Sequence, residues 1–204
     1  MVVTRLEPVT KTRYKVYIDE EFAFVLYKGE LTRYHIKEEA IVEEADFHKI
    51  KKEIILKRAK LRAMHLLNDM SRTESQLRTK LRQGYYTEDI IDATITYVAS
   101  FGYINDNNYA INYIQNKQAF KSKKEIYAGL CQKGLAKEII DLALEETYQE
   151  QDEIDAIHKI TEKKKYDCNT ATDGEKKKMC AYLMRKGFRY DDIRQVIQVS
   201  DGNA

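Results

Sequence analysis

Proline is almost absent from this chain. Of 204 residues one is proline, Pro8, and eight are glycine. That leaves little material for long irregular loops, and no proline breaks the chain after Pro8. From about Asp46 onward it can be nearly all helix. Cysteine is scarce too. Cys131, Cys168 and Cys180 are odd in number and scattered, with no C-x-x-C pair and no Cys/His group at zinc spacing. His35, His48, His65 and His158 stand apart from one another. Packing or surface roles are expected for all seven, with no metal and no cofactor. No apolar run approaches the ~20 residues that cross a bilayer. The start, MVVTRLEPVT, lacks the basic-then-apolar layout of a signal. A cytoplasmic location without membrane association is therefore expected.

The motifs of catalysis are missing as well. There is no G-x-x-x-x-G-K-[ST] phosphate loop, no G-x-G-x-x-G, no G-x-S-x-G and no H-E-x-x-H. Asp89 and Asp92 lie one helical turn apart and could be imagined as a metal pair, but acidic residues in a helix's first turn explain them better. The chain is expected not to be an enzyme. Net charge is only +2, so total charge does not announce a nucleic-acid partner.

What is present is apolar content of 43%, enough for a packed core, and 33% charged residues. Near the start, RYKVYID alternates, with Tyr14, Val16 and Ile18 on one face. EFAFVLY answers with Phe22, Phe24 and Leu26. The period of two and the β-branched and aromatic content predict two strands. Asp19 and Glu20 would form the turn, without the Asn-Gly or Asp-Gly that favours one. TRLEPV is a possible third strand. Residues 1–45 are read as a small β-hairpin module that must pack on something else.

The rest of the chain repeats itself. TESQLRTKLRQG sets Thr73, Gln76, Leu77, Leu81 and Gly84 in order; SKKEIYAGLCQKG sets Ser122, Glu125, Ile126, Leu130 and Gly134. EKKKMCAYLMRKG gives Met179, Leu183 and Gly187. Thr73 with Gln76 and Ser122 with Glu125 fit capping boxes, whereas in the third copy Glu175 takes the cap register and the box is lost. The glycine is expected to stop each helix by entering the left-handed conformation. A second helix follows, opened by Glu88 and Asp89, by Glu138, and by Asp191 and Asp192. A further helix precedes each unit, marked by Ala63 with Leu67, Ala110 with Ile114, and Ala156 with Ile160. The fold expected is mainly α: three tandem three-helix repeats in an elongated, monomeric array behind the hairpin module. The repeats are placed at 46–103, 104–150 and 151–204, the last including a C-terminal tail. Stacked neighbours would share their cores.

At this point the residues resemble a known family. GYINDNNYA, from Gly102 to Ala110, is similar to a hallmark of the bacterial regulatory proteins called RecX. So is the order of pieces, ending in YLMRKGFRYDDI, and YKVYIDEEFAF resembles the hairpin before the repeats in many members. Two departures stand out: Gly84 follows Leu81 one residue early, and Glu20 stands where a glycine is usual. The resemblance implies a partner, RecA, the ATP-driven strand-exchange protein, and its filament on single-stranded DNA. It also implies inhibition of filament growth, ATP hydrolysis and recombination.

The residues speak independently about charge. From Lys49 to Arg82 eleven Lys and Arg face three carboxylates. The reading favoured is a basic stripe made by Arg78, Lys80 and Arg82, by Lys121, Lys123 and Lys124, and by Lys176, Arg185, Lys186 and Arg189. Such a stripe suits an elongated anionic partner, with direct DNA contact left open. Taken one at a time, such lysines are more simply a solvated face laced with ion pairs. Tyr85, Phe188 and Tyr190, just past the glycines, could stack on a partner but more often pack back on the helix. Tyr109, Tyr113 and Tyr127 are read as core. The competing function is a helix-turn-helix reader of duplex DNA. Against it, helices that open with acids are repelled by phosphate.

Overall fold

The computed structural model describes residues 1–197; the tail at 198–204, assigned above to the third repeat, lies outside the described residues. The chain divides into two compact units, Met1–Asn105 and Asp106–Ala204.

The first unit opens with three strands, β1 (Val3–Pro8), β2 (Arg13–Ile18) and β3 (Glu21–Tyr27), paired antiparallel in that order. Asp19 and Glu20 close β2 onto β3 with φ of 49° and 70°. Two successive left-handed residues give the backbone twist that a two-residue hairpin needs. This turn lacks glycine, and the start of β1 with the residue before it holds it instead. Asp19 N–H donates to Val2 O at 2.9 Å, Val2 N–H donates to the Asp19 carboxylate at 2.8 Å, and Glu20 N–H donates to Thr4 Oγ1 at 3.1 Å. Val16 pairs with Phe24 but Tyr17 pairs with Phe22, so Ala23 is an extra residue, a bulge. The bulge turns Phe22 to the opposite face, where it meets the Tyr17 ring edge-on at 5.8 Å. The expectation that Phe22 shares a face with Phe24 and Leu26 is corrected by that one residue.

After α1 (Lys28–Arg33), a continuous helical stretch runs through α2 (Glu44–Lys49), a π-helical segment (Ile50–Leu56) and α3 (Lys57–Asp69). Hydrogen bonding to the fifth residue widens the turn, so residues five apart align. Ile50 and Ile55 are both buried, in one cluster with Val3, Val16, Phe24, Leu26 and Ala59. The hairpin thus finds its partner surface on this helix. Arg58 fastens the two: it donates to Val25 O at 3.0 Å, pairs with Glu30 and lies over the Tyr27 ring. Then come α4 (Glu74–Gln83) and α5 (Glu88–Ser100). Ala63, Leu66, Leu77, Leu81, Ile91, Ile95 and Val98 form the next cluster, each large aliphatic side chain contributing roughly 1.5–3 kcal/mol by burial. Leu66, not Leu67, goes fully inside with Ala63.

The second unit repeats the plan twice: α6 (Asp106–Lys117), α7 (Lys123–Gln132) and α8 (Lys137–Thr147), then α9 (Glu150–Lys163), α10 (Asp173–Arg185) and α11 (Tyr190–Ile197). Ala110, Ile114, Ile126, Leu130 and Ile140 centre one cluster; Ala156, Ile157, Leu183, Phe188 and Ile193 centre the other. Tyr109, Tyr113 and Tyr127 pack partly buried against the first of these, and Phe188 is buried in the second, as packing residues.

All three middle helices end alike. Tyr86 N–H donates to Leu81 O, Leu135 N–H to Leu130 O, and Phe188 N–H to Leu183 O, the six-to-one bond of a Schellman ending. Its left-handed position falls on Gly134 and Gly187, with φ of 79° and 86°. In the first copy it falls on Tyr85, φ 63°, while Gly84 stays at φ −82°. The stop expected at Gly84 is therefore corrected to Tyr85: the register is intact, and a tyrosine occupies the strained position. The third cap also differs from expectation. Thr172 caps α10 and Glu175 reaches back to it, so the capping box exists. It lies three residues before the register expected, because α10 has 13 residues where α4 and α7 have 10.

Candidate basic binding surface

The ten candidate cations fall into two kinds. In the first unit Arg78 and Arg82 are already engaged. Arg78 Nε donates to Glu74 Oε1 at 2.8 Å and Nη1 to Asp92 Oδ1 at 2.6 Å. Arg82 grips both oxygens of Glu88, at 2.6 and 3.0 Å. These bonds push the guanidinium pKa values of both arginines up and hold the Glu88 carboxyl below its usual range. Lys80 Nζ donates to Gln83 at 3.3 Å. Asp89 bonds Lys51 at 2.6 Å. Burial pushes the Asp89 carboxyl up, but the bonds from Lys51 and Thr87 outweigh it and lower it. The pair imagined as metal ligands, Asp89 and Asp92, is thus divided between two cations. Among the described residues no three His, Cys, Asp or Glu side chains group as metal ligands, and Cys131, Cys168 and Cys180 are free thiols.

The second unit brings several of the candidates together. Lys121 precedes the Ser122 cap of α7, and Lys123 and Lys124 occupy its first turn. Lys186 closes α10, and Arg185 and Arg189 flank that end. The two ends meet. Ser122 Oγ accepts from Glu125 N–H at 3.1 Å and donates to Lys186 O at 2.6 Å. A Cβ on Gly187 would stand 3.0 Å from Ser122 Oγ and 3.1 Å from Lys124 Cβ. Lys121 Nζ lies 2.7 Å and Lys186 Nζ 3.8 Å from the two oxygens of Glu125. Lys176 lies apart, in the second turn of α10. On α4 the cations line the later turns, on α7 the first turn, and on α10 the second turn and the end, so basic charge does not occupy one fixed place in every repeat.

Glu153, from the first turn of α9, is buried and accepts from Lys123 N–H at 2.8 Å. Burial pushes its carboxyl up, and the Asp192 carboxyl beside it pushes further. The acids that open α5 and α11 therefore point, in part, at neighbouring helices. Glu88 and Asp89 bind cations, and Asp192 sits beside Glu153. These three are engaged within the protein, and the helix-turn-helix reading gains no support from this geometry.

Sequence reasoning overlooked four side chains beside this junction. Phe120, Lys163, Lys164 and Tyr182 line a groove with Ile160 and Lys186. The run Lys163–Lys165 at the end of α9 was the available signal. Phe120 could not have been singled out, because exposure is not readable from a lone aromatic.

Comparison with known proteins places these observations. Residues 59–97 match the family described as RecX, first three-helix domain, and residues 150–197 match RecX, third three-helix domain. The chain is 31% identical to the regulatory protein RecX of Caldanaerobacter subterraneus subsp. tengcongensis, over 98% of this chain and 100% of that one. It is 28% identical to the regulatory protein RecX of Clostridium acetobutylicum, over 96% and 94%. Among solved structures, a crystal structure of a regulatory protein RecX superimposes with a TM-score of 0.64 at 22% identity, covering 98% of this chain and 99% of that one. At that identity the match speaks for the fold.

Proposed function

The chain belongs to the RecX family of regulatory proteins, and on that premise we propose that it binds RecA and the RecA filament on single-stranded DNA, and restrains filament growth, ATP hydrolysis and strand exchange. The observation that carries the reading is the match over nearly the full length to proteins called regulatory. Two features support it. The chain carries three related helical triplets, and a modular scaffold of that kind suits a periodic partner. Each triplet also presents cations on its middle helix. RecA enters only through the family resemblance.

The contact set proposed remains the ten cations. Lys80, Lys123, Lys124, Lys176, Arg185 and Arg189 would act first, because Arg78 and Arg82 must give up carboxylates to meet a new partner. Each exposed pair contributes on the order of 0.2–1 kcal/mol, so the effect would come from several acting together. The test is co-sedimentation of the purified chain with RecA from the same organism, with and without single-stranded DNA. Retention on the filament is expected, weakened when Lys123, Lys124, Lys176 and Arg185 are reversed to Glu. A folded chain that stays in the supernatant at every ratio refutes the reading.

A further inference from the structure

In the second unit, the turn after α6 and the facing ends of α9 and α10 enclose a groove of about 430 Å³. Its lining is Phe120, Ile160, Lys163, Lys164, Tyr182 and Lys186: two aromatic rings, three ammonium groups and no carboxylate. Lys164 Nζ lies 4.2 Å from the Tyr182 ring centre, Lys186 Nζ lies 5.8 Å from the same ring, and Lys163 Nζ lies 5.8 Å from the Phe120 ring. Phe120 leaves 50% of its surface in water.

A lysine in the last turn of a helix is explained by the helix dipole, which accounts for the place of Lys163 and Lys164. It does not explain why a half-exposed phenylalanine stands among them. The cations here also differ from Arg78 and Arg82. Among the described residues, neither Lys163 nor Lys164 belongs to an ion pair. An ammonium over a ring face keeps its three N–H donors for another acceptor. Only Lys186 is shared, at 3.8 Å, with Glu125.

We propose that this groove binds single-stranded nucleic acid, with a base laid on Phe120 and adjoining phosphates held by Lys163, Lys164 and Lys186. Aromatic faces beside cations are what an unstacked base and its phosphate require, and stacking is available to every base. A groove of this size takes a flipped-out base but no duplex. An acidic peptide would use the ammonium groups alone, because the negative face of an aromatic ring repels a carboxylate. Binding of this kind is independent of RecA, so it stands or falls apart from the function proposed above.

The experiment measures fluorescence anisotropy of a short labelled oligodeoxythymidine with the full chain and no RecA, across a salt series. The wild type should bind. Phe120→Ala should weaken binding about tenfold with the salt slope unchanged, because it removes a stack and no charge. Lys163→Ala with Lys164→Ala should weaken it at least as much and flatten the slope by about 1.4, at ~0.7 for each phosphate no longer neutralised. Phe120 and both lysines are exposed, and circular dichroism confirms that each variant is folded. The proposal is overturned if the wild type does not bind, if Phe120→Ala binds as the wild type does, or if both variants keep the wild-type slope. It is also overturned if a duplex competes as well as the single strand, or if labelled hexaglutamate binds more tightly through the same lysines, which would mark an acidic segment as the occupant.

Discussion

Replacing Ser122 by Ala removes two bonds at once. Its Oγ accepts from Glu125 N–H, satisfying an orphan donor at the start of α7, and donates to Lys186 O at the end of α10. The side chain is fully buried, so water cannot take over either role. Loss of a cap costs about 1 kcal/mol, and a buried carbonyl left without a donor costs ~1–3 kcal/mol. Together the substitution should cost about 2–4 kcal/mol. Thr172 is the internal control. It caps α10 with the same geometry, accepting from Glu175 N–H at 3.4 Å, but it is exposed. Thr172→Ala should cost about 0.5–1 kcal/mol, since water replaces part of the bond. For a chain of this length 1 kcal/mol moves the midpoint by ~2–4 °C. Thermal unfolding should therefore fall by about 4–16 °C for Ser122→Ala and by ~1–4 °C for Thr172→Ala. Amide exchange should accelerate at Glu125 and Gly187 together in the Ser122 variant. Equal losses for the two variants, or faster exchange at α7 without any change beside Lys186, would refute the bridging role.

Gly187→Ala should destabilise the chain by roughly 2 kcal/mol or more in urea unfolding, and Gly102→Ala by only about 1 kcal/mol. Both glycines are left-handed, but only at Gly187 would the added Cβ meet Ser122 and Lys124; equal costs would contradict this. Tyr85→Gly should stabilise by ~0.5–1 kcal/mol, as relief of left-handed strain exceeds the added backbone entropy and the removal of the ring beneath Lys15; a lowered urea midpoint would show that the ring matters more than the strain. Glu153→Gln should be more stable than the wild type near neutrality and indistinguishable from it in acid. Because burial and Asp192 raise the Glu153 pKa, the folded chain holds a proton that the unfolded chain releases. Wild-type stability therefore falls as pH rises from the ordinary carboxylate range through the raised value. Gln keeps the acceptor for Lys123 N–H and cannot ionise. Arg189, the other charge facing this carboxylate, works against the shift. Midpoints measured from pH 4 to pH 8 check the crossing; a constant offset would contradict it.

Periodicity made the three strands, the three helical triplets and most of the core legible. Val16, Phe24 and Leu26, or Leu77 and Leu81, declare their faces by spacing alone. The errors arose where one residue shifts a pattern without changing composition. Ala23 is an unremarkable residue, yet as a bulge it moved Phe22 across the sheet. Gly84 drew the helix stop to itself because glycine is the usual left-handed residue, whereas the Leu81 register had already placed the stop at Tyr85. Thr172 escaped notice as a cap because α10 is longer than its counterparts, and equal lengths would put the cap at Glu175. The candidate surface was legible only as a set of cations. Which of them are tied to carboxylates depends on long-range pairings such as Arg78 with Asp92 and Lys186 with Glu125. The meeting of Phe120 with Lys163, Lys164 and Tyr182 likewise needs the packing of two helical triplets, which no local pattern encodes.

The central claim, that this chain restrains RecA, is tested most directly by the DNA-dependent ATP hydrolysis of RecA from the same organism, followed while the purified chain is added. The account predicts that hydrolysis slows at chain concentrations well below those of RecA, and that the effect weakens with added salt and with reversal of Lys123, Lys124, Lys176 and Arg185 to Glu. An unchanged rate at saturating chain, with folding confirmed by circular dichroism, would contradict it.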